Sequence, residues 1–239
     1  MSPKRIRTDA DAWRRLLERR SVRNTWHFSP LCCVPSILFR NSLLSIEEAN
    51  RLGLRVPARE SRDYDIEKGV GDVVKLSHTY PYWKMLSKIM RRGTPEVIFE
   101  LANDPILWAG TYFGNSNVWE FVWQTGSSLD FASQKVFVSR SKWDGNSPPE
   151  IYVPKQVPLD GILIRIHTVL DEERGELEGC LRRLNLLRGI ALFSSGFSPP
   201  FPGSCRDEYL KNQPEHFQGI RRYFGRVSEE SLRRGVELD

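Results

Sequence analysis

Short runs with the signature of a strand are scattered along this chain, without the regular helical spacers that a parallel sheet needs. They are NTWHFSP (residues 24–30), DVVKLSH (72–78), PEVIFEL (95–101), EIYVP (150–154) and GILIRIHTV (161–169). In the 150–158 stretch, Ile151, Val153 and Val157 alternate with polar or Pro positions, as in a strand with one buried face. A doubly wound sheet would repeat a strand–helix–strand rhythm and carry a Gly-rich phosphate loop after a strand. Neither is present. The chain therefore reads as α+β, with antiparallel or mixed strands.

Helices lie between and beyond these runs. Trp13, Leu16 and Leu17 recur at helical spacing among charges within residues 9–22. CVPSILFRNSLLS holds a short helix with Pro35 near its start and Asn41 near its end. SIEEANRLGL begins another, with Ser45 as N-cap and Glu48 three residues on. PYWKMLSKIMRRG reads as a short helix closed by Gly93, and NDPILWAGTYF as a helical turn and a strand. Residues 55–71 read as a long charged loop, and 114–149 as a long stretch without clear period that carries Trp119, Phe121, Trp123 and Phe131. From residue 171 the chain turns helical, passes through the Pro/Gly-rich SSGFSPPFPGS, and ends in a basic helical segment. With 239 residues the expectation is a single domain, its core over about 24–170 and a helical extension over about 171–239.

Composition narrows the partners. No apolar run approaches the roughly 20 residues needed to span a bilayer, and the N-terminus lacks the apolar core of a secretory signal. The expectation is a cytoplasmic protein with no membrane partner. Cys32, Cys33, Cys180 and Cys205 lack zinc-site spacing and read as buried structural thiols; His27, His78, His167 and His216 also lack ligand spacing, so no metal is expected. The net charge of +5 and the paired arginines, among them Arg91-Arg92, favour a polyanionic partner modestly.

Several places carry residues suited to chemistry. In WHFSP, His27 is either a ligand-holding ring or a satisfied core histidine. In ARESRDYDIEKG, Arg59 and Arg62 offer forks that grip phosphate bidentately, or they line a solvated loop with Asp63 and Asp65. Asn115, Asn117, Trp119 and Trp123 suit a groove where bases stack on rings, or pack in the core. Glu150 follows two prolines at the mouth of a strand, where a buried carboxylate gains a raised pKa and serves as a base; the alternative is an edge charge facing water.

The order of these features resembles the DarT family of single-stranded DNA ADP-ribosyltransferases. The resembling stretches are WHFSPLCCVPSILFRNSLLS, RDYD…DVVKLSHTYPYWKM, PEVIFELANDPILWAGTYFGNSN and PEIYVPKQVPLDGILIRI, which together span about residues 24–166. The resemblance implies two packed, mostly antiparallel sheets around an NAD cleft, with surrounding helices. It implies transfer of ADP-ribose from NAD to a base in single-stranded DNA, a role as toxin or phage-defence effector, and a macrodomain antitoxin as partner. Glu150 takes the place of the catalytic glutamate, and Arg62 that of the catalytic arginine, with Arg59 its competitor at the NAD. His27, with Ser29 following, takes the place of the NAD-contacting histidine, and Tyr80, Tyr82 or Trp83 stacks on nicotinamide. Residues of about 130–149 correspond to the target-recognition loop, and Trp119, Trp123, Arg140, Lys142, Trp143, Arg91 and Arg92 would hold the strand. The sequence departs from the family where Pro148-Pro149 precede the glutamate and where Pro30 and the neighbouring Leu-Cys follow the first-strand histidine. An RNA or protein acceptor, or a non-catalytic nucleic-acid-binding module, are the competing readings.

Overall fold

A computed structural model describes residues 4–54, 61–79, 96–142, 144, 147–187, 189–194, 210–211 and 213–234. The strands are β1 (Asn24–Pro30), β2 (Ser42–Leu44), β3 (Val73–Ser77), β4 (Glu96–Ala102), β5 (Tyr112–Gly114), β6 (Thr125–Gly126), β7 (Glu150–Pro154), β8 (Gln156–Pro158), β9 (Leu163–Thr168) and β10 (Ala191–Ser194). The helices are α1 (Ala10–Arg19), α2 (Val34–Arg40), α3 (Ile46–Arg51), α4 (Ser61–Glu67), α5 (Asp171–Arg183), α6 (Gln213–Arg226) and α7 (Glu229–Arg234). Eight strands form one sheet in the order β10-β9-β4-β1-β3-β7-β5-β6, and β2 pairs with β8 in a separate ribbon. Neighbours run antiparallel except β9 and β10. The α+β class and the two mostly antiparallel sheets match the expectation.

Alternation along each strand sorts the side chains onto two unlike faces. One face is the core. Val97, Phe99 and Leu101 of β4 join Val74 and Leu76 of β3 and Ile151 and Val153 of β7, under Trp13 and Leu17 of α1, Leu177 and Leu181 of α5, and Ile220 and Phe224 of α6. The C-terminal region is thus continuous with the core, and through β10 it adds a strand that the sequence pattern did not reveal. The opposite face carries two smaller apolar clusters. Ile98 and Val169 sit with Trp26 and Phe28 on one flank, and Val70, Val73, Val118 and Tyr152 with Tyr64, Tyr112 and Trp123 on the other.

Local signals explain the helix ends. Ser45 Oγ accepts from the Glu48 N–H at 3.1 Å, as expected of an N-cap. The Glu48 carboxylate turns instead to Arg51, with Nε 2.8 Å away. Asn41 ends α2 in the left-handed region, at φ 53°, which Asn tolerates better than most residues.

Three expectations are corrected. The segment read as a loop over 55–71 contains α4, whose inward residues Tyr64 and Asp65 are polar and so hide the helical period. The 114–149 stretch contains β6 and helical turns that bury Ala132, Val136 and Phe137 in the core. Cys180 is buried as expected, whereas Cys32 and Cys33 are half-buried, and Cys205 lies outside the described residues. Among the described residues no helix is long and apolar enough to cross a membrane.

One junction in the large sheet is nearly open. β1 matches β4 at every position from Asn24 to Pro30, yet meets β3 only at Trp26 and Ser77. The sheet therefore splits between β1 and β3, and the two apolar clusters of its outer face stand on either side of the split.

Candidate active site

A single row of paired residues crosses this split. Trp26 of β1 faces Ser77 of β3, Ser77 faces Glu150 of β7, and Glu150 faces Gly114 of β5. Directly opposed residues share a face, so Trp26, Ser77 and Glu150 line the outer face together, Trp26 and Glu150 about 10 Å apart by strand spacing. Just beyond the single β1–β3 backbone pair, the His27 Nδ1–H donates to the Lys75 carbonyl at 2.8 Å. A carbonyl only accepts, so this contact fixes the neutral ring as the Nδ1–H tautomer, with Nε2 the acceptor nitrogen.

Glu150 is half-buried and ringed by neutral donors. Tyr152, two residues on and hence on the same face, donates its hydroxyl to Glu150 Oε2 at 2.7 Å. The Asn117 amide donates to Oε1 at 3.1 Å, and the Val118 backbone N–H also bonds the carboxylate. Asn117 is itself oriented, because its Oδ1 accepts from the Trp119 N–H at 3.0 Å. Burial pushes the Glu150 carboxyl above the ordinary carboxylate range, and Asp65 adds to this; the Lys75 charge and the Tyr152 hydrogen bond oppose it without cancelling it. The Lys75 ammonium is shared, since it lies 2.6 Å from Asp65 of α4.

The loop over residues 115–124 closes this group. Its base is pinned by buried Asn115, whose amide donates to the Val122 carbonyl at 2.9 Å and to Asp144 at 3.0 Å while its Oδ1 accepts from the Gln124 N–H at 2.7 Å. Trp119 lies flat on Tyr64 of α4, with ring centroids 4.0 Å apart. The Trp123 indole N–H donates to the Tyr152 hydroxyl at 3.0 Å. Between these two engaged tryptophans, Phe121 is fully exposed at the loop tip.

The structure thus brings together Glu150, Asn117, Trp119 and Trp123 with Tyr64 and Asp65; His27 stands at the edge of the same split but opposite Phe99, on the other face of β1 from Trp26. Ser29 is buried on β1 opposite Val97, on the face away from Trp26. Arg62 lies on α4, but its side chain falls outside what the structure describes. Arg140 and Lys142 are exposed on a short helical turn. Arg59, Tyr80, Tyr82, Trp83, Arg91, Arg92 and Trp143 lie outside the described residues. The 130–149 stretch buries Ala132, Val136 and Phe137, while the exposed aromatics of this region are Trp119 and Phe121. Sequence reading missed Tyr152, Lys75 and the special place of Phe121. The strand alternation of EIYVP does put positions 150 and 152 on one face, which was the available signal for Tyr152. Among the described residues no group of three or more His, Cys, Asp or Glu is placed to hold a metal.

The fold is of the ADP-ribosyltransferase type, as comparison with solved structures shows. DarT of Thermus sp. 2.9 in complex with ADP-ribosylated single-stranded DNA superposes with a TM-score of 0.53 at 12% identity, over 73% of this chain and 94% of that one. The same protein in complex with NAD+ gives 0.53 at 13%, over 72% and 94%. DarTG of Thermosipho africanus in complex with ADP-ribose gives 0.54 at 14%, over 72% of this chain and 50% of that one. No protein-family model and no curated protein sequence matches the chain.

Proposed function

We propose that this protein is an NAD-dependent ADP-ribosyltransferase whose acceptor is a base in single-stranded DNA. The observation that carries the reading is Glu150, a carboxylate held by neutral donors beside a split in a DarT-type sheet. DarT structures with this fold contain NAD+ and ADP-ribosylated single-stranded DNA.

In the reaction the bond from ribose C1′ to the nicotinamide nitrogen breaks, and nicotinamide leaves as a neutral molecule. Positive charge builds on the ribose ring, and a fixed carboxylate beside it stabilises that charge. An atom of the acceptor base then bonds to C1′, and its proton passes to Glu150. A raised pKa makes Glu150 a better base for that proton than an ordinary carboxylate. Arg62, one helical turn ahead of Asp65 on α4, is assigned to the NAD diphosphate, with Arg59 the alternative. His27 is assigned to a ribose of the NAD.

The acceptor base must be unpaired to present its reactive atom. Phe121 offers an uncovered ring for a neighbouring base, and Arg140 and Lys142 offer charge to the backbone. A macrodomain partner that reverses the modification goes with this reading.

Mass spectrometry of short single-stranded oligonucleotides incubated with the protein and NAD tests it. The expected product is an ADP-ribose adduct, absent with Glu150→Gln. Nicotinamide release without an adduct on any DNA moves the acceptor to RNA or protein. No release and no adduct overturns the reading.

A further inference from the structure

We propose that Tyr152 is a positioning residue for Glu150, and that Trp123 makes its hold on the carboxylate depend on the seating of the 115–124 loop. The inference deepens the reading of Glu150 as the reacting carboxylate and rests on it for its effect on rate.

Tyr152 is wholly buried, in a cluster with Val70, Val73 and Val118 flanked by Tyr64 and Tyr112. A phenylalanine would fill that space equally well, and burying a hydroxyl without partners is costly. The hydroxyl has two partners: it donates to Glu150 Oε2 at 2.7 Å and accepts from Trp123 Nε1 at 3.0 Å. Each group plays the only role open to it, because the indole N–H only donates and the carboxylate only accepts. Burial, and then the neighbouring Glu150 charge, push the phenol pKa far up, so it keeps its proton and remains a donor throughout the working range. Backbone geometry is adapted to the ring. A Cβ at Gly114 would come within 2.9 Å of Tyr152 Cε2 and 3.0 Å of its hydroxyl oxygen, so the β5 position beside Glu150 has to be glycine for the ring to lie there.

The loop holds the carboxylate in two ways. Asn117 and the Val118 N–H hold the carboxylate directly, and Trp123 holds it through Tyr152. These residues belong to the same loop whose tip is Phe121. A chain of donors polarises each member, so a shift of this loop on an acceptor strand changes the direct donors and the relayed one together. Among the described residues, the ionisable groups around the carboxylate are Lys75 from β3, Asp65 from α4 and Tyr152 from its own strand, with Tyr112 of β5 against the Tyr152 ring. From the loop come only the neutral Asn117 amide and Val118 N–H. Of all these, the Tyr152 hydroxyl can be removed with the least change in volume.

The test pairs Tyr152→Phe with Trp123→Phe. Nicotinamide release from NAD should fall about tenfold or more in kcat for Tyr152→Phe, as expected for losing a hydrogen bond to a charged group, with KM for NAD nearly unchanged. The acid limb of the pH–rate profile should move to higher pH, because the charged form of Glu150 has lost a donor. Trp123→Phe, which leaves the Tyr152 core position intact, should move the same limb in the same direction by less. A merely structural role for Tyr152 would change stability and leave the acid limb in place. Independently of activity, the Glu150 carboxyl carbon is titrated by NMR, assigned through its absence in Glu150→Gln. An unmoved midpoint in both variants overturns the hold, whatever the reaction. A raised midpoint in Tyr152→Phe, alongside undiminished activity of Glu150→Gln, upholds the hold and overturns the catalytic reading of Glu150.

Discussion

Glu100 and Glu150 are two carboxylates in the same cross-strand row, on the same face, about 14 Å apart by strand spacing. Their surroundings are opposite in kind. Glu100 of β4 is buried against cationic or potentially cationic side chains: His167 Nε2 donates to Oε2 at 2.8 Å, and Arg165 Nε lies 2.9 Å from the same oxygen, although its N–H does not point at it. The Asn24 amide donates to Oε1 at 2.7 Å. Glu150 has an amide, a phenol and a backbone N–H, and its nearby cation is tied to Asp65. Glu100 joins strands through its contacts; Glu150, held by neutral dipoles and raised in pKa by burial, is left poised to take a proton. On the proposed reading Glu150 is the group for chemistry, while Glu100 is a structural clasp between β1, β4 and β9.

The largest expected effect is on activity at Glu150. Glu150→Gln should lower nicotinamide release by at least about 100-fold, the low end for removing a positioned acid–base group, while leaving circular dichroism unchanged. Glu100→Ala should do the reverse. It strands His167 and Arg165 without their anion and should lower unfolding free energy by about 2–3 kcal/mol, below the usual figure for a fully buried pair because Arg165 is partly exposed. Urea unfolding measures it, and per-folded-molecule activity should stay within twofold of wild type, about 0.4 kcal/mol of barrier. An inactive but stable Glu100→Ala protein would reverse the assignment of the two carboxylates.

Much of this contrast was legible in the sequence, and the part that was not has a physical cause. Strand alternation gave β1, β3, β4, β7 and β9, and the position of Glu150 at the mouth of β7. The partners of Glu150 were harder to read because they come from long range. Asn117 stands 33 residues away, on a loop that has no period. α4 was read as a loop because the residues it turns inward include an acid, Asp65, whose burial is compensated by Lys75. The exposure of Phe121 was equally hidden, since Trp119, Phe121 and Trp123 look alike as letters. Packing separates them: one stacks on Tyr64, one bonds Tyr152, and one has neither contact.

Phe121 supplies the next measurement. Phe121→Ala should weaken binding of a short single-stranded oligonucleotide by about 1–3 kcal/mol, the range for one stacked base, and leave the melting temperature and NAD cleavage unchanged. Fluorescence anisotropy reads the first and thermal unfolding the second. Equal binding by both proteins would show that acceptor contact lies away from this loop.

The smallest effect tests the comparison most directly, through the pH dependence of stability. Burial raises the folded pKa of Glu150 above its unfolded value, about 4.3 for a free glutamate. The folded state then holds this proton more tightly than the unfolded state does. The resulting stabilisation is fully present below the unfolded pKa and is lost as pH rises through the folded pKa. In Glu150→Gln no proton titrates at this position, so the variant lacks that loss. Urea unfolding of both proteins from pH 4 to pH 7 should therefore show the variant gaining on wild type as pH rises. If the gap instead moves in favour of wild type, the Lys75 charge and the hydrogen bonds outweigh burial. Glu150 would then be a carboxylate held in its charged form, and its isolation among neutral donors would no longer single it out.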